Sequence, residues 1–327
     1  MRDKKLNLIL LADCYKFTHW RQLKGRGKIE KLGSYIESRG SDTGIPYIKV
    51  FGIQGFIKEY LEGNVIEQWM IDEASFILGQ VFDDHTYFNK DGFTSMFKKY
   101  GGRLPIKIKA VKEGIKVPLK NITTWIESTD PEFEWIVPWI ETMLLRAAWY
   151  GTTVCTISSY VYDLQKKYGA ICGANYNPFF LNDFGARGVS SHESAEIGGA
   201  AHLVNSLGTD TVECLPFIIR NYAGSVCGYS VYASEHSTTT IFGKENEVKA
   251  YTHMLNDVPP DKICSLVNDS YSQENMVKVL IGKELKDKVL SRSAPTVIRP
   301  DSGDPVEMSL KNIQWLWEIF GGTINEK

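Results

Sequence analysis

The sequence lacks an excess of charge of one sign, paired cysteines and any long apolar run. Its 327 residues carry a formal net charge of -2, so a basic surface for nucleic acid is not expected. No stretch approaches the roughly 18 apolar residues of a membrane-spanning helix. None of the six cysteines forms a C-x-x-C pair or has zinc-finger spacing. We therefore expect a cytoplasmic protein with reduced cysteines, no membrane attachment and no nucleic-acid partner.

The composition is that of a globular protein, with 43% hydrophobic and 23% charged residues. The pattern of the chain changes near residue 145. Residues 1–145 mix short helices and strands and predict an N-terminal α+β domain. Residues 146–327 alternate short strands with helices, which is typical of parallel βα units, and predict part of an α/β barrel. We expect residues 13–30 to pack on that barrel.

Apolar spacing and turn residues predict the individual elements. Helices are predicted over 47–61, 65–82, 131–144, 191–203, 211–220 and 306–320. Strands are predicted over 104–111, 114–119, 122–126, 179–181, 263–267 and 296–298. The last helix has apolar residues on one face at Val306, Leu310, Ile313, Trp317 and Phe320.

Four aspartates each follow a predicted strand or a strand-like turn: Asp183, Asp210, Asp269 and Asp301. In an α/β barrel the loops after the strands open onto one face, and that face holds the active site. Aspartate is also a good helix N-cap, and a loop between a strand and a helix needs a cap. Capping explains any one of the four as well as a site does. All four together, with arginines nearby, favour an active site.

The segment Asp183–Ser191 combines an aromatic ring, an arginine and two glycines. Phe184 offers a flat face for stacking. Arg187 offers a planar fork that suits a phosphate, and its guanidinium can also stack on a ring. The N–H groups of the helix that follows would favour an anion. The alternative is an ordinary turn with a surface arginine.

Later loops contain further candidates for binding and catalysis. Asp210 could accept a hydrogen bond from a ligand N–H and would repel a ligand carboxylate, or it could serve only as a helix cap. His236 could act in acid–base chemistry or accept a phosphoryl group, although a single histidine is more often structural. Arg299 could bind a phosphate, and Asp301 could orient a ribose, a magnesium ion or His236. A simple turn is the alternative for this last loop.

A set of ordered motifs resembles those of the nicotinamide phosphoribosyltransferases. The motifs are Asp13–His19, Trp139–Thr142, Asp183–Ser191, Gly208–Val212, Ala233–Ser237, Asp269–Tyr271, Ser291–Ser293 and Ile298–Pro305. They occur in that family's order and with similar spacing, over nearly the whole chain. The resemblance implies an incomplete (β/α) barrel of the type II phosphoribosyltransferase kind with an N-terminal strand-rich α+β domain. It also implies an enzyme that condenses nicotinamide with 5-phosphoribosyl 1-pyrophosphate to nicotinamide mononucleotide and pyrophosphate in NAD salvage.

The resemblance implies roles for residues around the nicotinamide. Phe184 would stack on one face of the ring, and Tyr15 from the second subunit of a homodimer would cover the other face. Arg187 would hold the ring or a phosphate beside it. Asp210 would accept the amide N–H and so favour nicotinamide over nicotinate. Ser230 is a weaker candidate near the amide.

The resemblance also implies a group of residues for phosphate chemistry. His236 would be phosphorylated transiently by ATP, which makes ATP a coupled substrate. Asp269, Arg299 and Asp301 would line the ribose-phosphate and pyrophosphate side, with Asp301 placed to assist His236. Mg²⁺, arginines and helix N-termini would stabilise the departing pyrophosphate.

Proteins of this family are longer than this chain, and two glycine-rich loops that bind the ribose phosphate have no counterpart in it. A complete barrel takes typically ~250 residues, and the second part of this chain suffices for about six of its eight units. We therefore expect a truncated chain or half of a split enzyme, completed by a C-terminal chain. The alternative functions are a nicotinate phosphoribosyltransferase and a non-catalytic nicotinamide-binding remnant.

Overall fold

The chain divides into two compact units, Met1–Tyr229 and Ser230–Lys327. The computed structural model describes residues 6–27, 29–40 and 42–323. The division predicted after residue 145 falls inside one helix, Ile136–Cys172, because apolar residues continue at helical spacing through that point. The division between the compact units lies farther along the chain, between Tyr229 and Ser230.

The strands of the first unit form small sheets. They are β1 (Gly33–Glu37), β2 (Tyr47–Lys49), β3 (Ile106–Ala110), β4 (Lys116–Pro118), β5 (Ile122–Ser128), β6 (Asn182–Asp183) and β7 (Gly208–Thr209). β5 lies between β1 and β3 in an antiparallel sheet, and β2 pairs antiparallel with β4. β6 and β7 pair in parallel. The strands predicted over 104–111, 114–119 and 122–126 are confirmed.

Two predicted elements of this unit differ from the structure. The helix predicted over 47–61 begins only at Ile53, because 47–49 is the strand β2, paired with β4. The strand predicted over 179–181 is wrong, because the Phe180 N–H donates to the Asn177 carbonyl in a turn and strand pairing starts at Asn182. Short apolar runs fit a strand, a helix or a turn until their partners are known.

The helices of the first unit contribute to two apolar cores, and the larger core contains residues of the second to fifth helix. They are α1 (His19–Gly25), α2 (Ile53–Phe56), α3 (Gln68–Phe82), α4 (Lys90–Tyr100), α5 (Ile136–Cys172), α6 (His192–His202) and α7 (Cys214–Ile218). α2 and α7 continue as the wider helical turns Ile57–Leu61 and Ile219–Ala223. Shorter 3-10 segments are Leu8–Leu10, Cys14–Thr18, Pro131–Phe133 and Gly185–Gly188. The sequence analysis did not predict α4.

Trp139 on α5 lies at the centre of the larger core. Its side chain is 2% exposed, and its ring meets the Phe93 ring edge to face at 5.3 Å. The indole Nε1–H donates to the Ile9 carbonyl at 2.9 Å. One side chain thus joins α5, α4 and the N-terminal segment through apolar contact and a buried hydrogen bond.

The second unit is a parallel sheet with helices after its strands. The strands are β8 (Tyr232–Ala233), β9 (Cys264–Val267) and β10 (Thr296–Arg299), in the order β10-β9-β8. The helices are α8 (His236–Thr240), α9 (Glu247–Asp257), α10 (Gln273–Asn275), which continues as Met276–Glu284, α11 (Lys286–Leu290) and α12 (Pro305–Phe320). β9 is buried at every position, as expected for the middle strand of a parallel sheet. The strands predicted over 263–267 and 296–298 are confirmed.

The apolar face predicted on the last helix is exposed at four of its five residues, and the fifth, Phe320, packs against the core of the second unit. Val306, Leu310, Ile313 and Trp317 are 48% to 69% exposed, while Trp315, Leu316 and Ile319 of the same helix pack against the core of the second unit. In the described part of the chain, no helix combines the length and apolar character needed to cross a membrane. The six cysteines are free thiols.

Asp130 stabilises the turn that leads into α5. Its carboxylate accepts hydrogen bonds from Lys99 Nζ (2.6 Å), the Tyr100 hydroxyl (2.6 Å) and the Glu132 N–H (3.0 Å). These bonds, that from Lys99 above all, hold the pKa of Asp130 at about 2. Because this pKa lies below that of an unfolded aspartate, the group stabilises the fold above about pH 4, and the stabilisation is lost as the pH falls towards 2.

We therefore expect Asp130→Asn to lower the Tm at neutral pH. The difference in Tm between the variant and the wild type should shrink as the pH falls towards about 3, because protonated Asp130 no longer accepts these bonds as a carboxylate. Thermal unfolding over this pH range measures the effect. A difference in Tm that stays constant with pH would contradict this explanation.

Candidate active site

Candidate residues of the first unit lie where β6 and β7 end. Because the two strands pair in parallel, their carboxyl ends lie at the same edge. Phe184 follows β6 directly, and Asp210 follows β7 directly. The Asp210 N–H donates to the Asp183 carbonyl at 2.8 Å. Strand pairing thus brings the backbones of two predicted nicotinamide residues to one edge.

The Asp210 carboxylate is held by an asparagine that the sequence analysis did not select. Asn182 Nδ2 donates to Asp210 Oδ2 at 2.5 Å. A Cβ atom on Gly208 would lie 2.7 Å from Asn182 Oδ1, so the glycine leaves the space that the asparagine side chain occupies. The register of the strand pair β6–β7 would have indicated this asparagine. Asn182 pairs with Gly208, so its side chain is near Asp210, two residues farther along.

The loop after β6 presents an aromatic ring and a cation. Asp183 Oδ1 accepts a hydrogen bond from the Gly185 N–H at 2.7 Å, which turns the chain sharply after the strand. Phe184 is 59% exposed, and Arg187 is exposed as well. Both side chains are therefore accessible to a ligand.

Tyr15 lies on the 3-10 segment Cys14–Thr18, which is anchored to α5. Lys16 Nζ and Glu141 Oε2 form an ion pair at 2.8 Å, and the Lys16 side chain is buried. The Tyr15 ring is 58% exposed and contacts His19 edge-on. A segment held to α5 by an ion pair thus presents an exposed aromatic ring. Its role in the site of a second subunit stays a prediction.

The second unit brings together His236, Asp269, Asp301 and Arg299. The first three follow β8, β9 and β10, whose carboxyl ends share one edge because the strands are parallel. His236 Nε2 lies 2.8 Å from Asp269 Oδ1, and His236 Nδ1 lies 3.9 Å from Asp301 Oδ2. Arg299 Nη1 lies 2.8 Å from Asp301 Oδ1. The imidazole is therefore between two carboxylates, and one of these carboxylates is paired with an arginine.

The two carboxylates differ in their surroundings. The Asp269 side chain is 5% exposed and that of Asp301 is 46% exposed. Burial tends to raise the pKa of Asp269, but hydrogen bonds from Ser302 and His236 outweigh it and keep this pKa below its usual value. Asp269 is therefore ionised at neutral pH and accepts the proton of His236 Nε2. Asp301 was predicted to assist His236, whereas Asp269 makes the shorter contact with its ring.

Two local features fix the backbone around His236. Glu235 and Thr238 form a reciprocal capping box at the start of α8, so His236 occupies a defined first turn. The buried Ser234 hydroxyl accepts a hydrogen bond from the Val267 N–H at 2.9 Å, which joins the loop after β8 to β9. Ser230 is exposed, at the start of the second unit.

The described residues offer few ligands for a metal ion. In the ranges 6–27, 29–40 and 42–323, no group of three or more His, Cys, Asp or Glu side chains could hold one. Mg²⁺ commonly binds through one or two carboxylates together with substrate phosphates and water. The exposed Asp301 carboxylate fits that limited role.

Two family models match the chain. The model of the nicotinamide phosphoribosyltransferase N-terminal domain matches residues 7–108, and that of the nicotinate phosphoribosyltransferase (NAPRTase) family matches residues 179–327. A nicotinamide phosphoribosyltransferase of Xanthomonas campestris pv. campestris (strain 8004) is 40% identical over 325 residues, which cover 98% of this chain and 68% of that protein. The chain belongs to the nicotinamide phosphoribosyltransferase family.

A second relative supports the same family. A nicotinamide phosphoribosyltransferase of Acinetobacter baylyi (strain ATCC 33305 / BD413 / ADP1) is 31% identical over 320 residues, which cover 84% of this chain and 60% of that protein. The chain thus spans about two thirds of the length of these relatives. The family and the transferase class predicted from the motifs are confirmed.

Solved structures confirm the α/β class of the fold. A nicotinate-nucleotide pyrophosphorylase from Pyrococcus furiosus matches with a TM-score of 0.60 at 14% identity, over 98% of this chain and 66% of that one. Human nicotinic acid phosphoribosyltransferase matches with a TM-score of 0.57 at 14% identity, over 95% of this chain and 65% of that one. At this identity the likeness concerns the fold alone.

Proposed function

We propose that this chain functions as a nicotinamide phosphoribosyltransferase in NAD salvage. Nicotinamide and 5-phosphoribosyl 1-pyrophosphate are condensed to nicotinamide mononucleotide and pyrophosphate. The observation that supports this proposal most strongly is the His236–Asp269 pair beside Asp301 and Arg299, at the carboxyl ends of parallel strands, in a chain of this family.

Nicotinamide is recognised by residues of the first unit. Phe184 stacks on the ring, Tyr15 of a second subunit covers its other face, and Arg187 holds the ring or a phosphate beside it. Asp210, oriented by Asn182, accepts the amide N–H, and its negative charge disfavours the carboxylate of nicotinate. The exposed Ser230 is a secondary candidate near the amide.

The charged residues near His236 suit the charges that develop at the ribose and the pyrophosphate during the reaction. The ring nitrogen of nicotinamide forms a bond to ribose C1 while the bond from C1 to pyrophosphate breaks. Arg299 supplies positive charge for phosphate groups, and Asp301 can orient the ribose or contribute one metal ligand. When bound, Mg²⁺ neutralises charge on the departing pyrophosphate.

ATP is coupled to this reaction through His236. Asp269 accepts the proton on Nε2, so the lone pair of the neutral ring lies on Nδ1. Nδ1 can attack the terminal phosphoryl group of ATP, which forms a P–N bond as the P–O bond to ADP breaks. The same arrangement disfavours attack by Nε2, because that nitrogen carries the proton that it donates to Asp269 and has no free lone pair.

We therefore expect ATP and Mg²⁺ to place acid-labile phosphate on Nδ1 of His236. Phosphorus NMR and peptide mapping under alkaline conditions distinguish the two ring isomers. His236→Asn should abolish the modification, and His253→Asn, a histidine of the same unit outside the cluster, should retain it. Phosphate on Nε2, or phosphate retained in His236→Asn, would contradict the assigned tautomer.

The complete fold that we propose is a (β/α) barrel, to which further βα segments contribute. In the described residues, β10 pairs with β9 on one side, and no strand pairs with its other edge. The exposed apolar face of α12 follows β10 directly. A strand beside β10 and a helix beside α12 would cover both surfaces. A complementing C-terminal chain, a homodimer and a cytoplasmic location belong to this same proposal.

A further inference from the structure

A chain of buried amides lies on the side of α12 that faces the core. Asn312 is 4% exposed and Asn268 is 0% exposed. Asn268 Nδ2 donates to Asn312 Oδ1 at 2.7 Å. The other core-facing residues of α12, Trp315, Leu316 and Ile319, are apolar. Apolar packing would suffice to join this helix to its sheet, so a buried pair of amides calls for a separate explanation.

The amide chain leads from α12 to the loop that follows β10. Asn312 Nδ2 donates to Gln273 Oε1 at 3.1 Å, and Gln273 Nε2 donates to the Ser302 carbonyl at 3.1 Å. The Asn268 N–H donates to the Arg299 carbonyl at 3.1 Å. These bonds hold the loop between β10 and α12 at its start, Arg299, and at its middle, Ser302.

That loop acts directly on the histidine cluster. Ser302 favours the ionised form of the Asp269 carboxylate and lowers its pKa, and Asp269 Oδ1 lies 2.8 Å from Nε2 of His236. The neighbouring Asp301 faces Nδ1 of the same ring at 3.9 Å. A shift of the loop would therefore change both carboxylates that flank the imidazole.

We propose that Asn312 is a positioning residue for His236, acting through Gln273 and Ser302. Asn312 does not touch the imidazole. It fixes the loop so that Ser302 orients Asp269, and Asp269 in turn keeps the proton of the ring on Nε2. This inference rests on the proposed role of His236 in phosphoryl transfer.

Two variants test the amide chain. Asn312→Leu keeps the branched shape of the side chain but removes the acceptor for Asn268 and the donor for Gln273. Gln273→Glu keeps the acceptor for Asn312 but places a carboxylate oxygen against the Ser302 carbonyl. Nitrogen NMR of the neutral His236 ring should show the Nε2–H tautomer in the wild type and a mixture of tautomers in both variants. Phosphorylation of His236 by ATP should slow by roughly 10–100-fold.

Matched controls come from Gln314, an exposed residue of α12 whose amide donates to Glu318. Gln314→Leu and Gln314→Glu make the same chemical changes away from the loop and should leave the tautomer and the rate unchanged. A wild-type tautomer in folded Gln273→Glu would overturn the proposal, even if Asn312→Leu does not fold. The tautomer is measured without ATP or turnover. A wild-type chain that fails to accept phosphate would therefore count against the proposed function, and this outcome is distinguishable from a failure of the role of Asn312.

Discussion

Asp269→Asn is expected to slow phosphorylation of His236 by roughly 10²–10⁴-fold, although the substitution barely changes the size of the side chain. The Asp269 carboxylate only accepts hydrogen bonds, so it requires a proton on Nε2 of His236. An asparagine amide can instead donate its own proton to Nε2. The ring proton then moves to Nδ1, the nitrogen that we expect to attack ATP, and no lone pair remains there.

The rate of phosphohistidine formation measures this effect, in single-turnover experiments with saturating ATP. Asp261→Asn, at an exposed aspartate of the same unit, serves as the matched control and should react as the wild type does. Nitrogen NMR should report the Nδ1–H tautomer in Asp269→Asn. If phosphorylation in that variant proceeds at the wild-type rate, Asp269 does not set the tautomer and the assignment of Nδ1 fails.

Trp139→Ala is expected to lower the free energy of unfolding by about 3–5 kcal/mol. The substitution removes a ring that is 2% exposed and leaves a cavity between α4 and α5. It also leaves the Ile9 carbonyl without the indole donor that now lies 2.9 Å away. A loss of this size is a large part of the ~5–15 kcal/mol that stabilises a typical domain.

Urea unfolding followed by circular dichroism measures this loss. Trp139→Phe retains most of the ring and should lose less, about 1–3 kcal/mol, mainly from the unsatisfied carbonyl. Trp149→Ala removes an indole that is 61% exposed on the same helix and should change stability by about 0.5 kcal/mol or less. Equal losses at positions 139 and 149 would mean that Trp139 is not a central core residue.

Much of the fold follows from local patterns in the sequence. Alternation predicts β3, and the run at 263–267 predicts β9, because these patterns depend on neighbours along the chain. The helix predicted at 47–49 and the strand predicted at 179–181 were wrong because the structure of these segments depends on distant partners. Tyr47–Lys49 becomes a strand by pairing with residues 116–118, which no local window contains.

The sequence also predicted which residues belong to the candidate site, but not the contacts between them. The positions of Asp269 and Asp301 after strands could be read from the order of strands and loops, but the short strand β8 before His236 was not predicted. The geometry of their contacts could not be read in this way, and the shorter contact with Asp269 emerged only from the structure. Asn182 and Asn312 were missed because a single asparagine in a short strand or in a helix has no distinctive pattern. Each becomes informative only when its hydrogen-bond partner is known.

Formation of nicotinamide mononucleotide is the most direct test of the central claim. Purified protein is incubated with isotopically labelled nicotinamide or nicotinate, 5-phosphoribosyl 1-pyrophosphate, Mg²⁺ and ATP. The assay is run with and without a polypeptide that supplies the unmatched part of a relative, and with Asp210→Asn alongside. We predict nicotinamide mononucleotide in at least one of the two arms, and a preference for nicotinamide that Asp210→Asn lowers by about tenfold or more. Folded protein that forms no product in either arm, or that prefers nicotinate, would contradict the proposed function.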